Sequence, residues 1–305
     1  MTLGVVSPFL NLTARAETVK FAWPDGASAK VSTRSEGRRV GTGPEINWNM
    51  SADFTMQVKR TGDRVVVSRD GFSGWKGTFP PGFGGGVERF TDMIPTLLVS
   101  ADGSFLGIEG QEAARKLINQ SVAQSGGLDA AARNVFETMT SDAALRSIAS
   151  DFWTTLIPLW EDVELDPEAA YEFRNTTAVP QLGGGQLDIV GTVRFVKEAP
   201  CASGPGERRC AHFRSETAPD KAQVVKLIES VMKRAAGAGP AITGWDQRHK
   251  VEIVVDKATM LPQQLTITRL SSIEASFQGR TERMSEEITK TYAFAWTLPG
   301  GGQKK

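Results

Sequence analysis

Between Ile46 and Lys59 the chain alternates apolar and polar residues without a break. Ile46, Trp48, Met50, Ala52, Phe54, Met56 and Val58 occupy one phase, and Asn47, Asn49, Ser51, Asp53, Thr55, Gln57 and Lys59 the other. Successive side chains of an extended chain point to opposite faces, so this run builds a strand with one apolar and one wet face. At about 3.3 Å per residue it is on the order of 40 Å long. Such a strand belongs to a large, curved antiparallel sheet with one face packed and the other solvated.

The same period recurs along the chain. Thr61-Gly62-Asp63 turns the chain and Arg64 to Arg69 returns it. Val19, Phe21 and Trp23 alternate ahead of an Asp25-Gly26 turn, and Ala27, Ala29 and Val31 begin a return strand. Asp102-Gly103 between Thr96–Val99 and Ser104–Ile108 is a hairpin signal. In the C-terminal half the alternating sets are Leu187 to Phe195, Val251 to Val255, Ile273 to Phe277 and Ile288 to Trp296. Pro262 falls in the turn before Leu265, where it removes no ladder bond. About eleven or twelve strands pass this period-two test.

Helical spacing interrupts the pattern twice. Over about 111–160 three apolar stripes follow one another. They are Ala114, Leu117, Ile118 and Val122, then Leu128 to Met139, then Leu145, Ile148, Phe152, Leu156 and Trp160, with Pro158 ending the last. Over about 220–235 Val224, Leu227, Ile228, Val231 and Met232 share a face behind a capped start at Asp220. The predicted fold class is α+β: one large curved antiparallel sheet, a half-barrel of about eleven strands, packed on one face against amphipathic helices. It occupies 17–298 as a single domain, followed by a loose tail over 299–305.

Lys plus Arg and Asp plus Glu both number 35 in the 305 residues, so the net charge is zero and no nucleic-acid partner is indicated. No apolar run reaches the roughly 18 residues of a transmembrane helix. The short apolar run from Leu3 to Leu12, followed by Ala14-Arg15-Ala16 before Glu17, has the form of the end of a secretory signal, though no basic residue precedes it. Residues 1–16 are therefore read as a signal peptide truncated at its start, and the mature protein as periplasmic or secreted. Cys201 and Cys210 flank a Gly- and Pro-containing turn. A hairpin there would bring them within disulfide range, in keeping with export.

Catalytic patterns are mostly absent. Neither H-E-x-x-H nor G-x-S-x-G occurs. His212 lies on the polar phase of its strand, and His249, just before a strand, is read as exposed. Gly82-Phe83-Gly84-Gly85-Gly86 lacks the Gly-Lys-Ser/Thr ending of a phosphate loop. The acidic run Glu161, Asp162, Glu164, Asp166, Glu168 and Glu172 lacks the central Gly of a calcium loop and reads as a solvated linker. No metal, cofactor or catalytic residue is assigned, and the chain is read as a non-enzyme. The more useful signal is aromatic and Met-rich. Trp48, Met50, Phe54 and Met56 on the long strand, with Phe136, Met139 and Phe152 on the helices, would line a hydrophobic cavity if the helices cover the sheet loosely.

Strand count, helix placement and export signal together resemble the bacterial lipoprotein-localisation-factor-like half-barrels. Val255-Asp256-Lys257-Ala258-Thr259-Met260-Leu261-Pro262 is similar to the D-x-x-T-G-x-P hairpin turn of such exported sheets, with Met260 at the Gly position. The resemblance implies a non-catalytic carrier of a lipid or acyl chain, and carries over no catalytic residue. The alternative is an envelope assembly component that binds a protein partner at a sheet edge or apolar patch.

Overall fold

The computed structural model describes residues 17–73, 76–78, 95–124, 137, 140–179, 185–202, 208–236, 241–277 and 280–299. The signal-like residues 1–16, the Gly-rich run 82–86, Phe136 and Met139 lie outside these. Twelve strands form one open sheet. They are β1 (Ser28–Val40), β2 (Ile46–Thr61), β3 (Arg64–Asp70), β4 (Lys76–Thr78), β5 (Thr96–Ser100), β6 (Phe105–Glu109), β7 (Tyr171–Val179), β8 (Gly185–Pro200), β9 (Arg209–Pro219), β10 (Ala241–Asp256), β11 (Pro262–Phe277) and β12 (Arg280–Thr297). Every pairing between them is antiparallel, in the order β6-β5-β3-β2-β1-β12-β11-β10-β9-β8-β7, with β4 pairing β2 beside β3. The sheet therefore starts in mid-chain, runs back to the N-terminal strand, and closes that gap with the C-terminal strand. β1 and β12 are in register from Ser28↔Thr297 to Val40↔Ser285.

The long alternating run is β2, and its phases separate as expected. Trp48, Met50, Ala52, Phe54, Met56 and Val58 are all buried, and their intervening neighbours are exposed or half-buried. The paired residues Val31, Phe294, Tyr292, Leu265, Ile253, Phe213 and Phe195 continue this apolar face across the sheet. Three helices are described: α1 (Gln111–Gln124), α2 (Asp142–Leu156) and α3 (Lys221–Ala236). Ser141 caps α2 by accepting the Ala144 N–H at 3.3 Å, and the helix stops two residues before Pro158. Its stripe of Leu145, Phe152, Trp153 and Leu156 is buried in the main core against the apolar sheet face. Asp220 caps α3 through the Gln223 N–H at 2.9 Å. Val224, Leu227 and Ile228 of α3 pack with Leu187 and Trp245 at the other end of the sheet. Among the described residues no helix is long and apolar enough to cross a membrane.

Two local expectations need correction. Val19, Phe21 and Trp23 are buried, but their segment forms no strand. It makes one isolated bridge, Thr18↔Glu164, and a 3.2 Å bond from Ala22 N–H to the Thr259 carbonyl. Alternate burial arises here because an extended strap crosses the end of the core, which needs no ladder partner. The acidic run is correspondingly more than a solvated linker. Glu161 accepts the Phe21 N–H at 3.0 Å, Asp162 pairs with Lys20, and the Leu165 N–H bonds the Glu17 carbonyl at 2.9 Å, so the run clamps the strap.

Cys201 and Cys210 form the disulfide, with Cα atoms 5.0 Å apart at the end of the β8–β9 hairpin. Buried Asp256 lies against it, paired with Arg208 at 2.8 Å. Asp256 also shapes the β10–β11 turn, where its Oδ1 accepts from Ala258 N–H, Thr259 N–H and Thr259 Oγ1 at 3.1, 3.0 and 2.8 Å. Met260 in that turn has φ 58°, in the left-handed region that the Gly of the resembling turn would adopt without strain.

Candidate functional site

In an antiparallel sheet, residues paired across neighbouring strands share a face. The apolar face of this sheet changes character along its length. One step from the Tyr292 row, the row runs Met50–Ser35–Lys290–Ile267–Val251–Ser215. The next runs Trp48–Gly37–Ile288–Arg269–His249–Thr217, and Arg39, Glu286, Ser271 and Gln247 follow. Charged and polar side chains thus enter a face that is elsewhere packed with aliphatic and aromatic groups.

Where this transition meets α2 there is a cavity of about 250 Å³. Helix α2 contributes Ile148, Asp151, Phe152 and Thr155, and the sheet contributes His249, Ile267, Arg269, Ile288, Lys290 and Tyr292. Lys290 is only 4% exposed and its ammonium lies 5.2 Å from the centre of the Tyr292 ring, a cation–π contact. Arg269 donates to Glu286 at 3.2 Å, and Glu286 also takes Arg39 at 2.6 Å. His249 is half-buried. Desolvation, aided by the Arg269 charge, pushes its pKa down to about 4, so the imidazole is neutral at pH 7. Gln247 lies within hydrogen-bonding reach of its Nε2. Asp151 sits at the outer rim of the cavity, where solvent reaches it, and desolvation pushes its carboxyl up to about 6.

The residues proposed from sequence as cavity lining divide between two clusters. Phe54, Met56 and Phe152 belong to the main core, where the Arg69 guanidinium lies 5.1 Å from the Phe54 ring and 4.3 Å from the Phe152 ring. Trp48 and Met50 form a separate cluster with Ile288, and the Trp48 ring fills the space that a side chain at Gly37 would need. Of the five described, only Phe152 lines the cavity. The others are 4% exposed or less, as filled core is. His249 departs from the exposed position expected of it. It shares the odd-numbered phase of Val251, Ile253 and Val255, and that phase placed it on the covered face. His212 keeps the polar phase and is half-buried. Lys290 was also legible, as a charged residue in phase between Ile288 and Tyr292.

The covered face also holds a set of unsatisfied polar atoms. In the main core the indoles of Trp23, Trp153, Trp160 and Trp296 each donate to a backbone carbonyl at 2.6–3.2 Å. Among the described residues, Thr33 Oγ1, Ser35 Oγ, Ser215 Oγ and the Trp48 and Trp245 indole nitrogens are buried with no hydrogen-bond partner. Thr33 and Ser35 stand directly opposite Tyr292 and Lys290. Among the described residues no three His, Cys, Asp or Glu side chains are grouped to hold a metal.

No family model matches the chain, and neither does any curated protein. Among solved structures, DynF from the dynemicin biosynthesis pathway of Micromonospora chersina aligns over 98% of this chain and 95% of its own, with a TM-score of 0.21 and 7% identity. A likeness at that score carries no argument. The fold itself defines the class: an α+β protein on one open, twelve-stranded antiparallel sheet with helices on its apolar face. The large antiparallel sheet is what it shares with the localisation-factor-like half-barrels, and no family match extends that likeness.

Proposed function

We propose that the chain is an exported, non-catalytic binding protein that holds a hydrophobic ligand, such as a lipid or acyl chain, between α2 and the sheet. The observation that carries this reading is the cavity of about 250 Å³ walled by Ile148, Phe152, Ile267 and Ile288. It has room for roughly eight waters at about 30 Å³ each. It falls below the roughly 300–1,000 Å³ of sites that enclose a drug-sized molecule. The ligand is therefore small or enters by one end. The disulfide supports an oxidising compartment.

The assembly-component reading has less support. At one sheet edge Arg146 of α2 donates to the Leu106 carbonyl of β6 at 2.8 Å. At the other, β7 carries exposed Glu172 and Arg174, charges that discourage strand addition.

Native mass spectrometry of the exported protein, before and after organic extraction, tests the binding reading, together with calorimetric titration of decanol. A species lost on extraction and saturable one-to-one decanol binding, abolished by Ile148→Trp, is expected. A bare protein that also fails to bind decanol would overturn it.

A further inference from the structure

We infer that the chain associates with a second copy of itself along the edge of β7, the two strands running antiparallel about a two-fold axis at Phe173. This goes beyond the binding reading and is independent of what the cavity holds. Three observations lead to it.

The first is the edge itself. Among the described residues β7 pairs only with β8, and its nine residues, Tyr171–Val179, leave an edge about 30 Å long. The opposite edge strand, β6, has five residues, and Arg146 of α2 already donates to its Leu106 carbonyl. A strand edge presents backbone donors and acceptors that a further strand can take up.

The second is charge. Glu172 and Arg174 are exposed on the outer face, and among the described residues neither forms an ion pair. Asp188, whose carboxyl feels the Arg174 charge, is held by Thr176 Oγ1 at 2.6 Å and by the Gln223 side chain at 2.9 Å. The two charges discourage a strand of arbitrary sequence, but a second β7 matches both. Residues directly opposite in an antiparallel pair share a face. A two-fold axis at position 173 therefore sets Glu172 of each copy opposite Arg174 of the other, two ion pairs from one symmetric contact. An axis at 172 would set Glu172 against itself, and an axis at 174 would do the same to Arg174. Like charges directly opposite are destabilising, so charge selects both the partner and the register. The third is the side chain on the axis. The Phe173 ring packs against the main core and fills the space that a side chain at Gly191 of β8 would need. It leans inward over the sheet and leaves the β7 backbone open to close approach at the centre of the pairing.

The test is sedimentation equilibrium of the full chain at pH 7.5 and low salt, up to about 300 μM protein. A monomer–dimer equilibrium is expected. Glu172→Arg and Arg174→Glu each turn both ion pairs into like-charge pairs, and each should raise the dimer dissociation constant at least about tenfold. Mixed one to one, the two variants should form a heterodimer, because every pair is again opposite in charge. The chain carrying both reversals should self-associate as the parent does, which also shows that the substitutions leave the fold intact. A parent that stays monomeric throughout the range would overturn the inference. So would a dimer that neither single reversal weakens, or one that mixing the two variants fails to restore.

Discussion

Met260 shows how one residue can serve the core and strain the backbone together. Its φ of 58° is a conformation that costs an L-residue about 1–2 kcal/mol relative to Gly. Its side chain is nevertheless 0% exposed within the main core, and its carbonyl accepts the Trp23 indole at 3.2 Å. Removing a buried Met side chain typically costs about 2–5 kcal/mol. The packing term is therefore larger than the strain it maintains. Met260→Gly should relieve the backbone and still destabilise, by about 1–3 kcal/mol net, measured as a lowered urea midpoint at unchanged slope. A variant as stable as the parent would show that the turn, and not the core, dictates this position.

At the scale of elements, α2 and the sheet each present to the cavity a titratable group, Asp151 and His249, whose effects on stability oppose each other. Asp151 is raised to about 6, above its unfolded value near 3.9. Its contribution to stability is full below about pH 4 and is lost as pH rises through 6. His249 is lowered to about 4, below an unfolded value near 6.5. Its contribution is present above pH 6.5 and is lost as pH falls toward 4. In the parent protein the two slopes offset each other across pH 4–6.5. Asp151→Asn should be more stable than the parent at pH 7 and equal to it at pH 4. His249→Gln should match the parent at pH 7 and exceed it at pH 4. Solvent reaches both groups and screens the effect, so each difference should stay under about 1 kcal/mol. Melting temperatures from pH 4 to 7, referenced to the double variant, would measure this; parallel curves for the two single variants would refute it.

The β8–β9 hairpin carries a simpler prediction. Cys201→Ser with Cys210→Ser releases a short loop, worth roughly 2–3 kcal/mol by chain entropy. It also frees the segment that holds Arg208 against buried Asp256, so the loss in chemical denaturation should reach at least that figure. Much of this architecture is legible in sequence because burial is one-sided. β2 reads directly from Trp48 to Val58, and α2 reads from Leu145, Phe152 and Leu156. The site is harder to read because its members break the pattern that reveals the fold. Lys290, Arg269 and His249 are polar residues on the apolar phase, so a search for apolar periodicity passes over them. Trp48 and Met50 satisfy that periodicity fully and fill core with Ile288.

At the scale of the whole molecule, the strap at 17–23 closes what the sheet leaves open. An open sheet of twelve strands covers its core with helices along one face, and the core's end still needs a lid. The strap supplies it: Phe21 and Trp23 meet Trp153 edge-on at 5.8 and 5.3 Å, and Trp23 meets Trp296 at 5.4 Å. Trp153 in turn donates to the Gly103 carbonyl of the β5–β6 turn at 2.7 Å. The strap thus joins the first residues of the described chain to α2, to the β5–β6 turn and to the last strand. Few backbone bonds hold it, so its hold is hydrophobic. Burying Val19, Phe21 and Trp23 contributes about 1.5–3 kcal/mol per side chain, a sum comparable with the whole stability of a typical domain. A chain begun at Asp25 should therefore lose cooperative unfolding, or melt far below one begun at Glu17, with Trp153 emission shifted to the red. Because the strap lies on Met260 and Thr259 rather than in the ladder, strand pairing at β1·β12 should persist in the truncated chain, read as slow amide exchange along those two strands. Loss of that protection together with the strap would mean that the sheet cannot hold its register without the lid.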